Sequence, residues 1–429
     1  MTAEVCVLNR FAAVLAADSA TTVTSWTENG PERRYFKGAN KIFQLSNYHP
    51  VGIMIFASAD LLSVPWEIVI KTFRSQLGEK SFNHISEYAN EFFNFMSSDA
   101  TLFPAEVRKN KFLASARSAA SRIFLEIWEA DSFDREGGPD NAGNQSIIRE
   151  VFGAWKEKAE ALECNSCFDQ TAVESAIQKW SSDVVESISK TMTSIHVDEI
   201  IELEEIAQVI ISELLKNPAE YLSETGLVFC GFGDKEIFPS ALEYKLCGMI
   251  NDKAVVFEGE KDVIDHETPA AIRAFAQTSM ADTFTIGISG DIYAKVMNAV
   301  QDELQEFARL ILAKHGVEED NFEDIESEIT NSRKTVGRKV FDSASKEHVF
   351  PLRKVIASLP IDEMAELAET LINLQSLKEK VTKPTETVGG PVDVAIITKS
   401  EGLVWVKRKH FFPPELNSRY IQRSNMLYK

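Results

Sequence analysis

The stretch Thr2-Ala-Glu-Val-Cys-Val-Leu-Asn-Arg-Phe-Ala-Ala-Val-Leu-Ala-Ala-Asp-Ser-Ala-Thr-Thr22 decides the fold. Val5-Cys-Val-Leu8 and Ala12-Ala-Val-Leu-Ala-Ala17 are two short apolar runs, and Asn9-Arg10-Phe11 between them reads as a tight hairpin. Thr21, Thr22, Val23, Thr24 and Trp26 continue in β-favouring types. Working outward, Lys41-Ile-Phe-Gln-Leu-Ser46 and Val51-Gly-Ile-Met-Ile-Phe-Ala57 read as two further strands, split by the turn cluster Asn47-Tyr-His-Pro50. A helix is predicted from near Ser63, with Pro65 in its first turn and Trp66, Ile68, Val69, Phe73 and Leu77 as its apolar positions. The periodicity stays helical to about residue 220. A polar, Gly- and Pro-containing loop over 131–145 interrupts it, and one amphipathic helix is predicted over 197–216. Strands return at Gly226-Leu-Val-Phe-Cys230 and around 241–257, and 292–380 is again mostly helical, with a solvated acidic face at 318–328. Val392-Asp-Val-Ala-Ile-Ile-Thr398 and Leu403-Val-Trp-Val-Lys407 form a last hairpin through Lys399-Ser-Glu-Gly402. Strands, helices, strands, helices, strands without an internal repeat is the signature of the α+β class, not of a doubly wound sheet.

A chain of 429 residues, 44% hydrophobic and 26% charged, can bury a large core. Its formal charge of −20 repels phosphate backbones and anionic lipid, which excludes nucleic acid and membrane surfaces as expected partners. No apolar run nears the ~18 residues that span a bilayer. The run Phe11 to Ala17 is short for a signal peptide and Asp18 stands where small neutral residues should precede cleavage, so a cytoplasmic protein is expected. Five scattered cysteines make no disulfide framework, and Cys164-x-x-Cys167 lacks a second ligand pair for zinc. The seven histidines show no H-E-x-x-H spacing, and Gly231-Phe-Gly233 lacks the third glycine and following helix of a dinucleotide loop. No metal and no cofactor are expected.

Read from Thr2, the opening segment resembles the start of a proteasome β or HslV subunit, in the N-terminal-nucleophile (Ntn) hydrolase family. Asp18 stands sixteen residues after Thr2, as the family aspartate does after its threonine. Lys41-Ile-Phe-Gln-Leu45 is similar to the family's lysine-led strand, and Gly52-Ile-Met-Ile-Phe-Ala-Ser-Ala-Asp60 to its Gly-x-Met-x-Gly-Gly-x-Ala-Asp strand. Val388-Gly389-Gly390 and the final hairpin resemble its Ser-Gly-Gly segment and last two strands.

The resemblance implies a four-layer αββα sandwich with a large helical insertion. Residues 1–61 and 221–429 would form a discontinuous core, and 62–220 the helical segment. It implies an N-terminal-threonine amidohydrolase, a proteasome-like peptidase acting on a peptide or protein and assembling as a homo-oligomer, with a ring possible and any ATPase partner unidentified. Thr2, exposed once Met1 is trimmed, would be nucleophile, and its own α-amine the base, since an amine of pKa near ~8 accepts a proton at working pH. Lys41 would lower that pKa and Asp18 would hold Lys41, with Lys37 competing for the lysine's part. Phe56, Ala57 and Ser19 would line the oxyanion and substrate cleft, and Thr385, Val388, Gly389 and Gly390 would support the amine. The chain departs from the pattern at Phe56 and Ala57, which replace two glycines, and at Thr385 and Val388, which replace the supporting aspartate and serine. Ser289 is the candidate for the remaining supporting serine. Those departures keep two alternatives open: a catalytically inactive proteasome-like scaffold or sensor, and a small-molecule amidase.

Overall fold

The computed structural model describes residues 2–27, 30–315, 322–383, 388–410, 412–419 and 421–422. The chain opens with β1 (Ala3–Asn9) and β2 (Ala13–Ala17), followed by a hairpin of β3 (Ala20–Thr27) and β4 (Gly30–Lys37). Next come β5 (Ile42–Gln44), β6 (Val51–Phe56) and a small pair, β7 (Asp60–Leu61) and β8 (Val64–Pro65). The helical stretch holds α1 (Trp66–Leu77), α2 (Ile85–Ser98), α3 (Ala105–Trp128), α4 (Ala142–Ala161), α5 (Gln170–Thr193), α6 (Leu203–Lys216) and α7 (Pro218–Tyr221). Strands β9 (Thr225–Gly231), β10 (Ser240–Ile250), β11 (Lys253–Val263) and β12 (Ala270–Ala276) follow. Then α8 (Ser279–Ile286), α9 (Gly290–His315), α10 (Phe322–Ala344), α11 (Phe350–Ile356) and α12 (Ile361–Thr382) lead to β13 (Asp393–Thr398) and β14 (Gly402–Lys407).

Among the described residues the strands form two five-stranded antiparallel sheets, in the orders β12-β1-β2-β13-β14 and β11-β10-β9-β6-β5. Both chain ends thus meet in one sheet, with β13 beside β2. The period-2 alternation of each strand sorts its side chains onto two faces. Cys6, Leu8, Leu15 and Ile397 of the first sheet meet Met54, Val228 and Cys230 of the second in a shared interior. Gly52 lets the sheets approach, since a Cβ there would lie 2.9 Å from Ile397 Cδ1 and 3.0 Å from Leu403 Cδ1. On its other face the first sheet offers Val5, Val7, Val14 and Ala16 to Met364, Ala368, Leu371 and Ile372 of α12. The second sheet's outer face, Ile53, Ile55, Leu227 and Phe229, packs on Trp66, Val69, Phe73, Tyr88 and Phe92 of α1 and α2. The class is α+β, with helix packed outside each of two facing sheets. Helices α3 to α6 gather around a separate apolar cluster that includes Ile123, Phe152, Ile188 and Ile210.

Several elements differ from the sequence reading. The predicted loop over 131–145 ends early because the Asn141 side chain accepts from Gly143 and Asn144 N–H and starts α4. The helix expected over 197–216 is a 3-10 turn at Val197–Glu199 and then α6, which begins at Leu203. The residues around 31–37 fold as β4, paired with β3 from Ala20↔Lys37 to Thr27↔Gly30. Strand β12 had no reading of its own, because Ala270-Ala-Ile-Arg-Ala-Phe-Ala276 has few β-branched residues; β1 recruits it in register from Ala3↔Ala276. Of the acidic stretch 318–328, residues 318–321 lie outside those described, and the rest falls in α10.

Candidate active site

Four polar side chains converge in this otherwise apolar setting: Thr2, Glu4, Asp18 and Lys41, at 6%, 0%, 1% and 6% exposure. Thr2 directly precedes β1, and its carbonyl accepts from Gln277 N–H at 3.0 Å, which ties it to the end of β12. Asp18 directly follows β2, and the β1–β2 register of Glu4↔Ala17 brings it back beside Thr2. Lys41 directly precedes β5 on the second sheet, and its carbonyl accepts from Ile55 N–H of β6 at 2.9 Å. The hairpin of one sheet and the strand start of the other therefore share one cluster.

Within it, the Thr2 hydroxyl reaches Asp18 Oδ1 at 2.8 Å and also contacts Glu4 Oε1 and Lys41 Nζ. Lys41 Nζ pairs with Asp18 Oδ1 and lies 3.5 Å from Glu4 Oε1. Asp18 is further held by three backbone donors: Ala3 N–H at 3.1 Å, Ala20 N–H at 3.2 Å and Gly389 N–H at 2.7 Å. Three such donors fix the orientation of the carboxylate. Glu4 differs. Its Oε2 is buried without a hydrogen-bond partner among the described residues. Burial pushes its carboxyl up to about 7, against the pull of the Lys41 charge and the Thr2 hydroxyl, with the Asp18 charge adding to the rise. The hydroxyl thus touches one ammonium and two unlike carboxyl groups.

The Gly389-Gly390 pair owes its conformation to the same place. Gly389 has φ +146° and Gly390 φ +83°, and a Cβ on Gly390 would lie 3.0 Å from Ser19 Oγ. The Ser19 hydroxyl donates to the Pro391 carbonyl, and its backbone N–H to Gly389 O at 3.3 Å, clamping this segment to the end of β2. Val388 is buried among the apolar side chains under α12. Thr385 lies outside the described residues.

At the end of β6, Ala57 has φ +70°, and Ser58 N–H donates across it to Phe56 O at 3.1 Å, a three-residue turn with a left-handed centre. A Cβ makes that conformation costly, and glycine is its usual occupant. Among the described residues the Ala57 N–H has no backbone or side-chain acceptor, and the residue is exposed. The half-buried Phe56 ring stacks on Phe275, centroids 5.4 Å apart, and Phe275 is the register partner of Glu4.

Glu4 is the functional candidate that sequence reasoning missed. Its signal was there: an acidic residue on the strand face that continues as Cys6 and Leu8, two positions from Thr2. Lys37 is exposed on β4 with its stem against the Gly390 segment, where a Cβ on Gly390 would lie 3.0 Å from Lys37 Cβ, and Ser289 sits before α9, where its carbonyl accepts from Tyr293 N–H at 2.9 Å. Basic residues at and just after the end of β14 find acidic partners in the chain: Lys407 pairs with Glu369 and Lys409 with Asp393. Cys164 and Cys167 are free thiols, and among the described residues no three His, Cys, Asp or Glu side chains gather as a metal site. Among the described residues no helix is long and apolar enough to cross a membrane. A groove of about 500 Å³ among α4, α5 and α6 is lined mostly by polar and charged side chains, of which Lys156 pairs with Glu205 at 2.8 Å.

No family model matches the chain, and no curated protein matches it. Among solved structures it is similar to a mutant of Anbu from Hyphomicrobium sp. strain MC1, at 8% identity and a TM-score of 0.27 over 100% of this chain and 96% of that one. A likeness of that size carries no argument, and the functional reading rests on the cluster itself.

Proposed function

We propose that the protein is an Ntn-type amidohydrolase with Thr2 as its nucleophile, a proteasome-like peptidase on a four-layer αββα core. The observation that carries this reading is the contact of Lys41 Nζ with both Thr2 Oγ1 and Asp18 Oδ1 in a buried pocket of charge. A hydroxyl is a weak nucleophile, and an ammonium fixed against its oxygen stabilises the developing alkoxide. Asp18, gripped by three backbone N–H groups, keeps that ammonium in place. The Ala57 N–H, without an acceptor among the described residues, is the oxyanion donor of this reading, and Phe56 and Ser19 flank the cleft. In the same proposal residues 1–61 and 221–429 form the core, α1 and α2 complete its outer layer, and the rest of 62–220 elaborates it. The proposal extends to a cytoplasmic homo-oligomer.

Thr2→Ala should abolish hydrolysis of fluorogenic peptides while leaving the circular dichroism spectrum unchanged, and Thr2→Ser should keep part of the rate. Full activity in Thr2→Ala, with the N-terminus verified by mass, would remove Thr2 from the chemistry. A second reading, a catalytically inactive scaffold, draws on one observation: Val388 is buried and apolar where the resemblance asks for a supporting hydroxyl. It expects no adduct at Thr2 with any acylating probe.

A further inference from the structure

We infer that the Glu4 carboxylate is the general base for the Thr2 hydroxyl, so that the site acts without a free α-amino group on Thr2. The inference rests on the reading of Thr2 as nucleophile and adds the identity of its base. Geometry carries it first. Glu4 Oε1 is in direct contact with Thr2 Oγ1, and Glu4 of β1 stands two residues after Thr2, which directly precedes that strand, with no loop between them. The hydroxyl has one proton to give and two carboxyl groups within reach. Asp18 is already committed to three N–H donors and to Lys41. Glu4 has an oxygen with no hydrogen-bond partner among the described residues.

A desolvated carboxylate with an oxygen left free is a good base. The groups that face Glu4 from the neighbouring elements are Asp18 from the end of β2, Lys41 from the start of β5 and the apolar Phe275 ring from β12. Burial is the largest influence there; it outweighs the pull of the Lys41 charge and the Thr2 hydroxyl and, with the Asp18 charge adding to the rise, places the carboxyl at about 7. That is where a base is half charged at neutral pH and transfers protons best.

The step balances within the site. As Oγ1 bonds to the acyl carbon of an amide, its proton passes to Glu4 Oε1 and the carbonyl π pair moves to oxygen. The carbonyl re-forms, the C–N bond breaks, and Glu4 returns the proton to the departing nitrogen, leaving the acyl ester on Thr2. Water then attacks that ester with Glu4 again taking and returning one proton, which frees the acid and the hydroxyl.

The test uses an aliphatic β-lactone, whose ring opens on attack by Oγ1 to leave an ester and a free alcohol on the same adduct. Two forms of the full chain are compared, one retaining Met1 and one trimmed to Thr2, each verified by intact mass. Labelling is mapped by tandem mass spectrometry from pH 5 to 9. Both forms should label at Thr2, with a rate that rises through about pH 7 and then levels. Glu4→Gln should slow both by about 100-fold or more. Labelling confined to the trimmed form and unaffected by Glu4→Gln would assign the base to the amine, overturning the inference while leaving Thr2 as nucleophile. No labelling of either wild-type form would overturn the nucleophile and the base together. Should Glu4→Gln fail to fold, Glu4→Asp decides, because it keeps the charge and draws it back by one methylene. An unchanged rate in Glu4→Asp overturns the inference, and a slower rate with the same pH midpoint supports it.

Discussion

Replacing Lys41 by methionine keeps the side-chain volume and deletes the one cation of the cluster. At 6% exposure, Lys41 stands between Asp18 and Glu4, paired with the first and 3.5 Å from the second. Removing one partner of a buried ion pair typically costs about 3–5 kcal/mol, because the other charge stays behind in a poor solvent. Two features of this site set the cost at the low end. Asp18 retains the N–H groups of Ala3, Ala20 and Gly389, and Glu4 can escape by taking a proton, its carboxyl already standing at about 7. We therefore expect Lys41→Met to lose about 3 kcal/mol at pH 8, where two carboxylates are left facing each other, and less at pH 6, where Glu4 is largely protonated. Urea unfolding followed by tryptophan fluorescence measures this, with the buried Trp66 as a core reporter. A loss below about 1 kcal/mol at pH 8, or a larger loss at pH 6 than at pH 8, would refute the picture of one ammonium holding two buried carboxyl groups.

Three further outcomes follow from the same structure. Glu4 has a folded-state pKa of about 7, above its ordinary value of 4.5, so the unfolded chain releases this proton first and the fold loses stability as pH rises from about 4.5 to about 7. Glu4→Gln removes that penalty and should gain about 3 kcal/mol relative to wild type between pH 4 and pH 8; a difference that stays flat over that range would show that Glu4 is not the titrating group. Ala57→Gly relieves a left-handed Cβ worth about 1–2 kcal/mol, against up to about 1 kcal/mol of added unfolded-state entropy, so a small net gain in unfolding free energy is expected and a clear loss would count against strain at this turn. Gly226→Ala would place a Cβ 1.9 Å from Phe56 Cζ and should cost about 1–3 kcal/mol, most of it recovered when Phe56→Ala is added. A double variant no better than the single one would show that the ring is not the obstacle.

The legible parts of this protein are those whose signal is local. Alternation in Val5-Cys-Val-Leu8 and in Val51-Gly-Ile-Met-Ile-Phe56 names strand and face, and spacing along Trp66 to Leu77 names the buried stripe of α1, because period 2 and period 3.6 are properties of a short run of backbone. Thr2, Asp18 and Lys41 were candidates through their order along the chain, and the structure brings all three together. Glu4 was passed over although it lies in the same quoted stretch. Its charge is unremarkable until the strand face it occupies is known to be closed by a second sheet.

Composition and periodicity thus suffice for the α+β class, most of the helices and strands, and the absence of any run long enough to span a bilayer. Which polar residues share a dry space was decided only by tertiary structure. Gly389 donates to Asp18 across 371 residues of chain, and Lys41 meets Thr2 only because two sheets close face to face at Gly52. The physical reason is dielectric: a carboxylate on an isolated strand is hydrated and ordinary, and it acquires an unusual proton affinity only when packing removes the water around it.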